Sequence, residues 1–383
     1  MRAIFGLLMS AALTAAEKFT NPVVWEDLPD NEVTRAGDAF YMTASSFHYS
    51  PGAPILRSYD LVNWEHIGHS VPVLDWSPKP ATGQYIAKSS NGPWGPYDLR
   101  IIADNIRLAA APRSGAPHQG SLVDTPKGDW YYMAFADMYP GGRAPVLAPI
   151  TWGSDGFPTI QLVNGAWGDY EYPLARRPVQ SVMGTYDFAG TKLREDWEWN
   201  HNPLTSGFTV NNGLTLRTVT VTNDLYQARN TVTHRIRGPK GTGTALLDFT
   251  NMKDGDRTGL GVLRDSSAWI GVEREGNNFN IVLVNGVSMN ADWTTKSTGN
   301  VAARVNNVSF RKVYLRVVAN IAPGGPGSAS FSYSSDGQNF MSLGGSFSLG
   351  NDWQFFPGYR YGIHNFATKS LGGSVRVTSF NNQ

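Results

Sequence analysis

Hydrophobic positions along this chain alternate with polar ones over short stretches, then break at Gly, Pro, Asn or Asp. The three-and-four spacing of an amphipathic helix is almost absent. Runs rich in Val, Ile, Tyr, Phe and Thr recur at 39–45, 130–135, 244–249, 279–284, 312–318 and 374–380. Short runs of this composition between turn residues predict strands. Many such strands in one chain predict an all-β protein, as a propeller, sandwich or barrel.

The first half repeats itself. Gly37-Asp38-Ala39-Phe40-Tyr41-Met42 is echoed by Gly128-Asp129-Trp130-Tyr131-Tyr132-Met133, a tight turn and then an aromatic strand. Arg57-Ser58-Tyr59-Asp60-Leu61-Val62-Asn63-Trp64 is echoed more loosely by Lys88-Ser89-Ser90-Asn91-Gly92-Pro93-Trp94, a strand end, a polar turn and a Trp. Repeated strand-turn units are the sequence mark of propeller blades. The two patterns occur in the order A, B, B, A, where regular blades would give A, B, A, B. The break falls at 75–83, around Asp75-Trp76-Ser77-Pro78-Lys79-Pro80. About 150 residues at roughly 40–45 per blade allow three or four blades at most.

A length of 383 residues suggests two domains. The texture changes after a Pro/Arg-containing connector holding Pro173, Arg176, Arg177 and Pro178. The expected division is a blade domain over 17–170, a linker over 171–186 and a β-sandwich over 187–383. Residues 1–16 read as a secretory leader: Arg2, then an apolar run ending in Thr14-Ala15-Ala16. The leader predicts a secreted, extracellular protein. No later run is long and apolar enough to span a bilayer. A net charge of +1 gives no basic field for nucleic acid, and the absence of Cys excludes a thiol nucleophile or thiolate metal site.

A carboxylate that precedes a strand near aromatics is a candidate for glycosidase-type chemistry. Asp30 does so, although by composition alone a turn aspartate capping a strand is the plainer reading. The segment Ser45-Ser46-Phe47-His48-Tyr49-Ser50-Pro51-Gly52-Ala53-Pro54-Ile55, continuing through Arg57 to Trp64, resembles the first blade of glycoside hydrolase family 43. So does Asp30 ahead of Val33-Thr34-Arg35-Ala36-Gly37-Asp38, with Asn31 where that family usually has Pro. The resemblance resumes at Pro117-His118-Gln119-Gly120-Ser121-Leu122, Gly141-Gly142-Arg143 and Pro149-Ile150-Thr151-Trp152. Trp197-Glu198-Trp199-Asn200-His201-Asn202-Pro203 and Ala228-Arg229-Asn230-Thr231 resemble the family's C-terminal concanavalin A-like, jelly-roll sandwich.

The resemblance implies a five-bladed β-propeller, here truncated, followed by that sandwich. It implies an inverting glycosidase of the β-xylosidase or α-L-arabinofuranosidase class, acting on hemicellulose-derived oligosaccharides of xylan or arabinan. Asp30 would be the general base. Phe47, His48 and Arg143 would bind substrate, and His118 would lie near the axis, where many members hold a calcium ion or water. No organic cofactor is required; a structural calcium is the one inorganic group expected. Read from the residues alone, Phe47, His118 and Arg143 are better explained as a core aromatic, a satisfied core histidine and a solvated turn; the resemblance makes the two readings about even.

The family's general acid is a Glu in a central blade, yet this chain has no Glu between Glu65 and Glu171. Asp75, Asp98 and Asp104, which lie between the first blade and His118, do not sit in the acid or modulator motif. The missing acid and the broken repeat point to the same place, 75–83. The alternative reading is therefore a catalytically impaired, carbohydrate-binding remnant.

Overall fold

The computed structural model describes residues 17–73, 105–154, 156–352 and 355–383. The leader at 1–16, the junction at 75–83, the second B pattern and Asp75, Asp98 and Asp104 lie outside the described residues. Each of the six runs expected to be strands overlaps a strand, from Ala39–Thr43 to Ser374–Asn382. Among the described residues, helical structure is confined to short 3-10 turns such as Thr205–Gly207 and Leu225–Gln227.

The first half holds two antiparallel four-stranded meanders of the propeller-blade type among the described residues. One is Glu32–Ala36, Ala39–Thr43, Gly52–Ser58 and Trp64–Val71; the other is His118–Asp124, Trp130–Asp137, Arg143–Trp152 and Pro158–Ile160. The A pattern is the turn between the first and second strands of each blade. The B pattern at Arg57–Trp64 is the turn between the third and fourth strands. That turn is built by Asp60, which caps the backbone N–H groups of Val62 and Asn63 at 2.9 and 2.7 Å, while the Trp64 indole donates to the Leu61 carbonyl.

The innermost strands of the two blades lie side by side. Val33 N–H donates to Ser121 Oγ at 2.8 Å, and Arg35 pairs with Asp124 at 2.6 Å. Lys18–Phe19 pairs with Tyr170–Glu171, tying the start of the described chain to the end of the second blade. One hydrophobic core runs from Phe19 through Leu28, Phe40, Met133 and Leu147 to Tyr170.

A second core runs from Tyr186 to Phe380 between two large antiparallel sheets. One sheet is centred on Lys240–Asp248, flanked by Lys312–Asn320 and Ser374–Asn382. The other contains Thr295–Val305, Asn278–Met289, Ser266–Glu275, Asp256–Leu263, Arg360–Ala367, Val232–Arg235 and Trp197–Asn200. Lys312–Asn320 alternates buried and less buried residues, as a strand covered on one face should. Arg360–Ala367 is buried throughout, because its far face is covered too.

The connector begins in the Tyr170–Glu171 pairing and ends where Gly184–Tyr186 joins Ser374–Asn382. Arg176 and Arg177 pin it to Glu17 and Asp38 of the blade half. The halves are not separate bodies joined by that connector alone. The two-residue strand Tyr49–Ser50 of the first blade continues the sandwich sheet, pairing with Trp199 and Asn200. A short strand of the blade half thus extends the sandwich sheet by two residues. The physical reason lies in the strand edge: Trp197–Asn200 would otherwise expose unpaired backbone groups, and Tyr49–Ser50 covers them.

Candidate active site

The site stands where the first blade, the second blade and one sandwich loop meet. Asp30 precedes Glu32–Ala36 in a left-handed turn with φ 54°. Leu28 N–H donates to the Arg143 carbonyl at 2.8 Å and Ser45 N–H to the Pro29 carbonyl, so the turn is held from both sides. Arg143 opens the strand Arg143–Trp152 and lies in register with Asp137 across the hairpin. Its guanidinium donates to Asp30 Oδ1 at 3.3 Å and to Asp137 Oδ1 at 3.2 Å. It therefore spans two carboxylates, both about one-third exposed, while itself 14% exposed.

Aromatic rings line the same place. The Arg143 guanidinium lies 5.2 Å from the Phe135 ring and 5.6 Å from the Phe356 ring. Phe47 stacks on Phe356 with centroids 5.7 Å apart and planes 16° from parallel. His118 meets Phe135 edge to face at 4.6 Å. Asp30, Phe47, Arg143 and His118 are thus brought into one row.

Asp30, Phe47, Phe356 and Gln119 all have φ between 48° and 58° although none is Gly. Such strained positions gather where surrounding structure over-determines a functional geometry. Gln119 is the bulge that shifts the register between His118 and Gly120 and re-aims His118. Beside Asp30, the Asn31 amide is buried with neither polar atom paired among the described residues.

His48 faces another way. Its ring stacks on His201 at 4.9 Å and meets Trp293 at 5.6 Å, both from the sandwich half. Burial, with His201 and Arg360 adding to it, pushes its pKa down to about 3. His118 is exposed, and its Nδ1 lies 3.0 Å from the Ala116 carbonyl. Among the described residues no group of three His, Asp or Glu could hold a metal ion. One imidazole does not fit calcium, which takes six to eight oxygen ligands.

The sandwich loop is fixed by Asp27. This buried carboxylate accepts Arg143 N–H at 2.9 Å and Gly358 N–H at 2.7 Å, binding the blade hairpin and the Phe356 loop to one anchor. Burial raises its pKa, against the pull of those N–H groups and of Arg360. Gly142 permits the approach. It has φ 88°, and a Cβ there would lie 2.1 Å from Asp27 Oδ1. Beneath the anchor, Arg235 donates to the Asp27 carbonyl at 2.9 Å and to Glu198 at 3.1 Å. Arg360 also binds Glu198 and lies 3.5 Å over the Tyr49 ring. Glu26 is a parallel case in which burial opposes ionisation, but the His66 hydrogen bond at 3.0 Å and charge, with Arg237 and Arg235, bring its pKa down to about 2.

Asp137 and Phe356 were not among the residues singled out from the sequence. Asp137 had a signal: it lies two residues beyond Phe135 on a strand, hence on the same face, six before Arg143. Phe356 had only its place in Phe355-Phe356-Pro357, more than 200 residues from Arg143.

Comparison with known proteins fits this arrangement. The profile of the beta xylosidase C-terminal concanavalin A-like domain matches residues 185–381. That of glycosyl hydrolases family 43 matches residues 19–80, ending inside the stretch where the internal repeat breaks. A beta-xylosidase of Formosa agariphila is 25% identical over 79% of this chain and 53% of its own length. A non-reducing end alpha-L-arabinofuranosidase of Bacteroides ovatus is 41% identical over 39% of this chain and 30% of its own length. The chain spans about half the length of the first curated relatives it matches, 53% and 49%. A solved GH43 glycoside hydrolase, engineered at its active site to show both endo-xylanase and exo-arabinofuranosidase activity, superposes with a TM-score of 0.90. It is 33% identical, over 96% of this chain and 100% of its own. With the sandwich profile covering residues 185–381 and the blade profile ahead of it, the chain belongs to glycoside hydrolase family 43.

Proposed function

We propose that this chain carries the base half of an inverting glycosidase centre for xylan- or arabinan-type hemicellulose, and that it is exported to act there. The observation that carries the reading is the Arg143 bridge between Asp30 and Asp137, set between the Phe135 and Phe356 rings. Asp30 would take a proton from water as that water attacks the anomeric carbon. Arg143 would hold Asp30 in place and donate to sugar hydroxyls. Phe47 and Phe356 would offer apolar faces to the C–H side of a pentose ring. The names of the relatives, beta-xylosidase and alpha-L-arabinofuranosidase, support the substrate class.

A second reading is favoured by one specific observation, the absence of any Glu between Glu65 and Glu171. Inversion needs a protonated acid at the leaving oxygen while the base activates water from the other side. Loss of general acid help costs roughly 10²–10⁴-fold in rate. In this second reading the protein binds pentosides through the same residues and turns them over poorly. Hydrolysis of aryl β-D-xylosides and aryl α-L-arabinofuranosides, beside Asp30→Asn, tests both. Hydrolysis that survives Asp30→Asn unchanged would remove Asp30 from the base role.

A further inference from the structure

A cleft of about 700 Å³ lies at the far end of the second blade, between the Trp130–Asp137 and Arg143–Trp152 hairpin and the Tyr170–Glu171 strand. That volume is within the roughly 300–1,000 Å³ typical of ligand sites. Arg143 begins one strand at the Asp30 site, and Trp152 ends the same strand at the cleft. Nine steps of about 3.3 Å put the two places roughly 30 Å apart, so the cleft is not part of the site already described.

Trp152 is 45% exposed as a residue, unusual for a large apolar ring, and its ring meets Trp130 edge to face at 5.4 Å. Both project from one sheet face, since Trp130 is in register with Ile150 and Trp152 stands two residues further along. Trp130 packs against the blade core, which leaves the Trp152 ring as the free platform. Around it the side chains of Asp129, Gln161, Asp169 and Glu171 are exposed, with no hydrogen bond or ion pair among the described residues. An indole face beside free carboxylate and amide groups suits a polyhydroxyl ligand: its C–H face stacks while its hydroxyls donate to the oxygens. Three carboxylates against Lys18 and Lys127 leave the cleft slightly acidic, which disfavours polyuronates and nucleic acid.

We propose that this cleft is a second glycan-binding site, which takes the backbone of a neutral β-linked pentosan and keeps the polymer near the Asp30 centre. The choice of pentosan rests on the function proposed above; the glycan-binding chemistry of the cleft does not. The experiment is affinity electrophoresis of the full chain in gels containing soluble arabinoxylan, hydroxyethyl cellulose or polygalacturonate. Wild type, Trp152→Ala and Asp30→Asn are run together, with circular dichroism to show that each is folded. The expected result is retardation by arabinoxylan, weakened roughly tenfold in Trp152→Ala, the order seen when an anchoring Trp is truncated. No retardation by any polymer, or retardation indifferent to Trp152→Ala, overturns the proposal. Equal retardation by hydroxyethyl cellulose or polygalacturonate overturns the assignment to a neutral pentosan. Trp152-dependent retardation in a protein without Asp30-dependent hydrolysis would sink the catalytic reading while leaving the cleft standing.

Discussion

Replacing Glu198 by Ala should be among the most damaging single changes in the molecule. The Glu198 side chain is fully buried, and it accepts from Arg235 at 3.1 Å, from Arg360 and from His69 at 3.2 Å. Both arginine side chains are only 2% exposed. Removing the carboxylate strands two buried cations, and breaking one buried pair typically costs about 3–5 kcal/mol. Some compensation remains, because Arg235 keeps the Asp27 carbonyl and Arg360 keeps the Tyr49 ring. A loss of about 4 kcal/mol is therefore expected. At about 2–4 °C per kcal/mol for a unit of sandwich size, the melting temperature should fall by about 8–16 °C in calorimetry. The pH dependence gives a second check. Arg235, Arg360 and the His69 hydrogen bond overcome burial and hold the Glu198 pKa well below the ordinary 4.5. A depressed carboxylate stabilises the fold fully above its unfolded pKa, and that contribution is lost as pH falls through the folded value. The gap between wild type and Glu198→Ala should hold above pH 4.5 and shrink below it. A loss under about 1 kcal/mol, or a gap that widens in acid, would refute the reasoning.

Gly142→Ala should destabilise by about 1–3 kcal/mol from overpacking against Asp27, plus a similar left-handed strain, read by urea unfolding. His48, pushed down to about 3, should keep a neutral imidazole NMR signature to about pH 4. Because its folded pKa lies below the unfolded 6.5, its contribution to stability is present above pH 6.5 and is lost as pH falls from there toward 3. His48→Gln should reduce the acid sensitivity in that window, measured by unfolding at several pH values. Phe356→Ala, although in the sandwich half, should weaken pentoside binding roughly tenfold by calorimetry, since its ring stacks on Phe47 beside Arg143.

Local pattern carried the strands, because alternation and turn chemistry are written within a few residues. The A turns at Gly37 and Gly128 and the B turn at Asp60 are of this kind. Asp30, Phe47, His118 and Arg143 could be singled out as candidates because each sits in a short motif that resembles a family. Asp137 and Phe356 were not, since their roles come from a hairpin register and a contact across the two halves. The role of Asp27 was hidden for the same reason, as its partners Arg143 and Gly358 lie 116 and 331 residues away. The sheet continuation at Tyr49–Ser50 could not be seen either, because two residues carry no periodicity.

The proposal of a base acting without its acid is tested most directly by leaving-group dependence. A dinitrophenolate leaves without protonation, whereas the sugar hydroxyl of xylobiose needs an acid. The chain should hydrolyse dinitrophenyl β-D-xyloside or the matching arabinofuranoside in a reaction abolished by Asp30→Asn, and leave xylobiose and arabinobiose intact. Turnover of those disaccharides at a rate comparable to the activated substrate, still dependent on Asp30, would contradict the account.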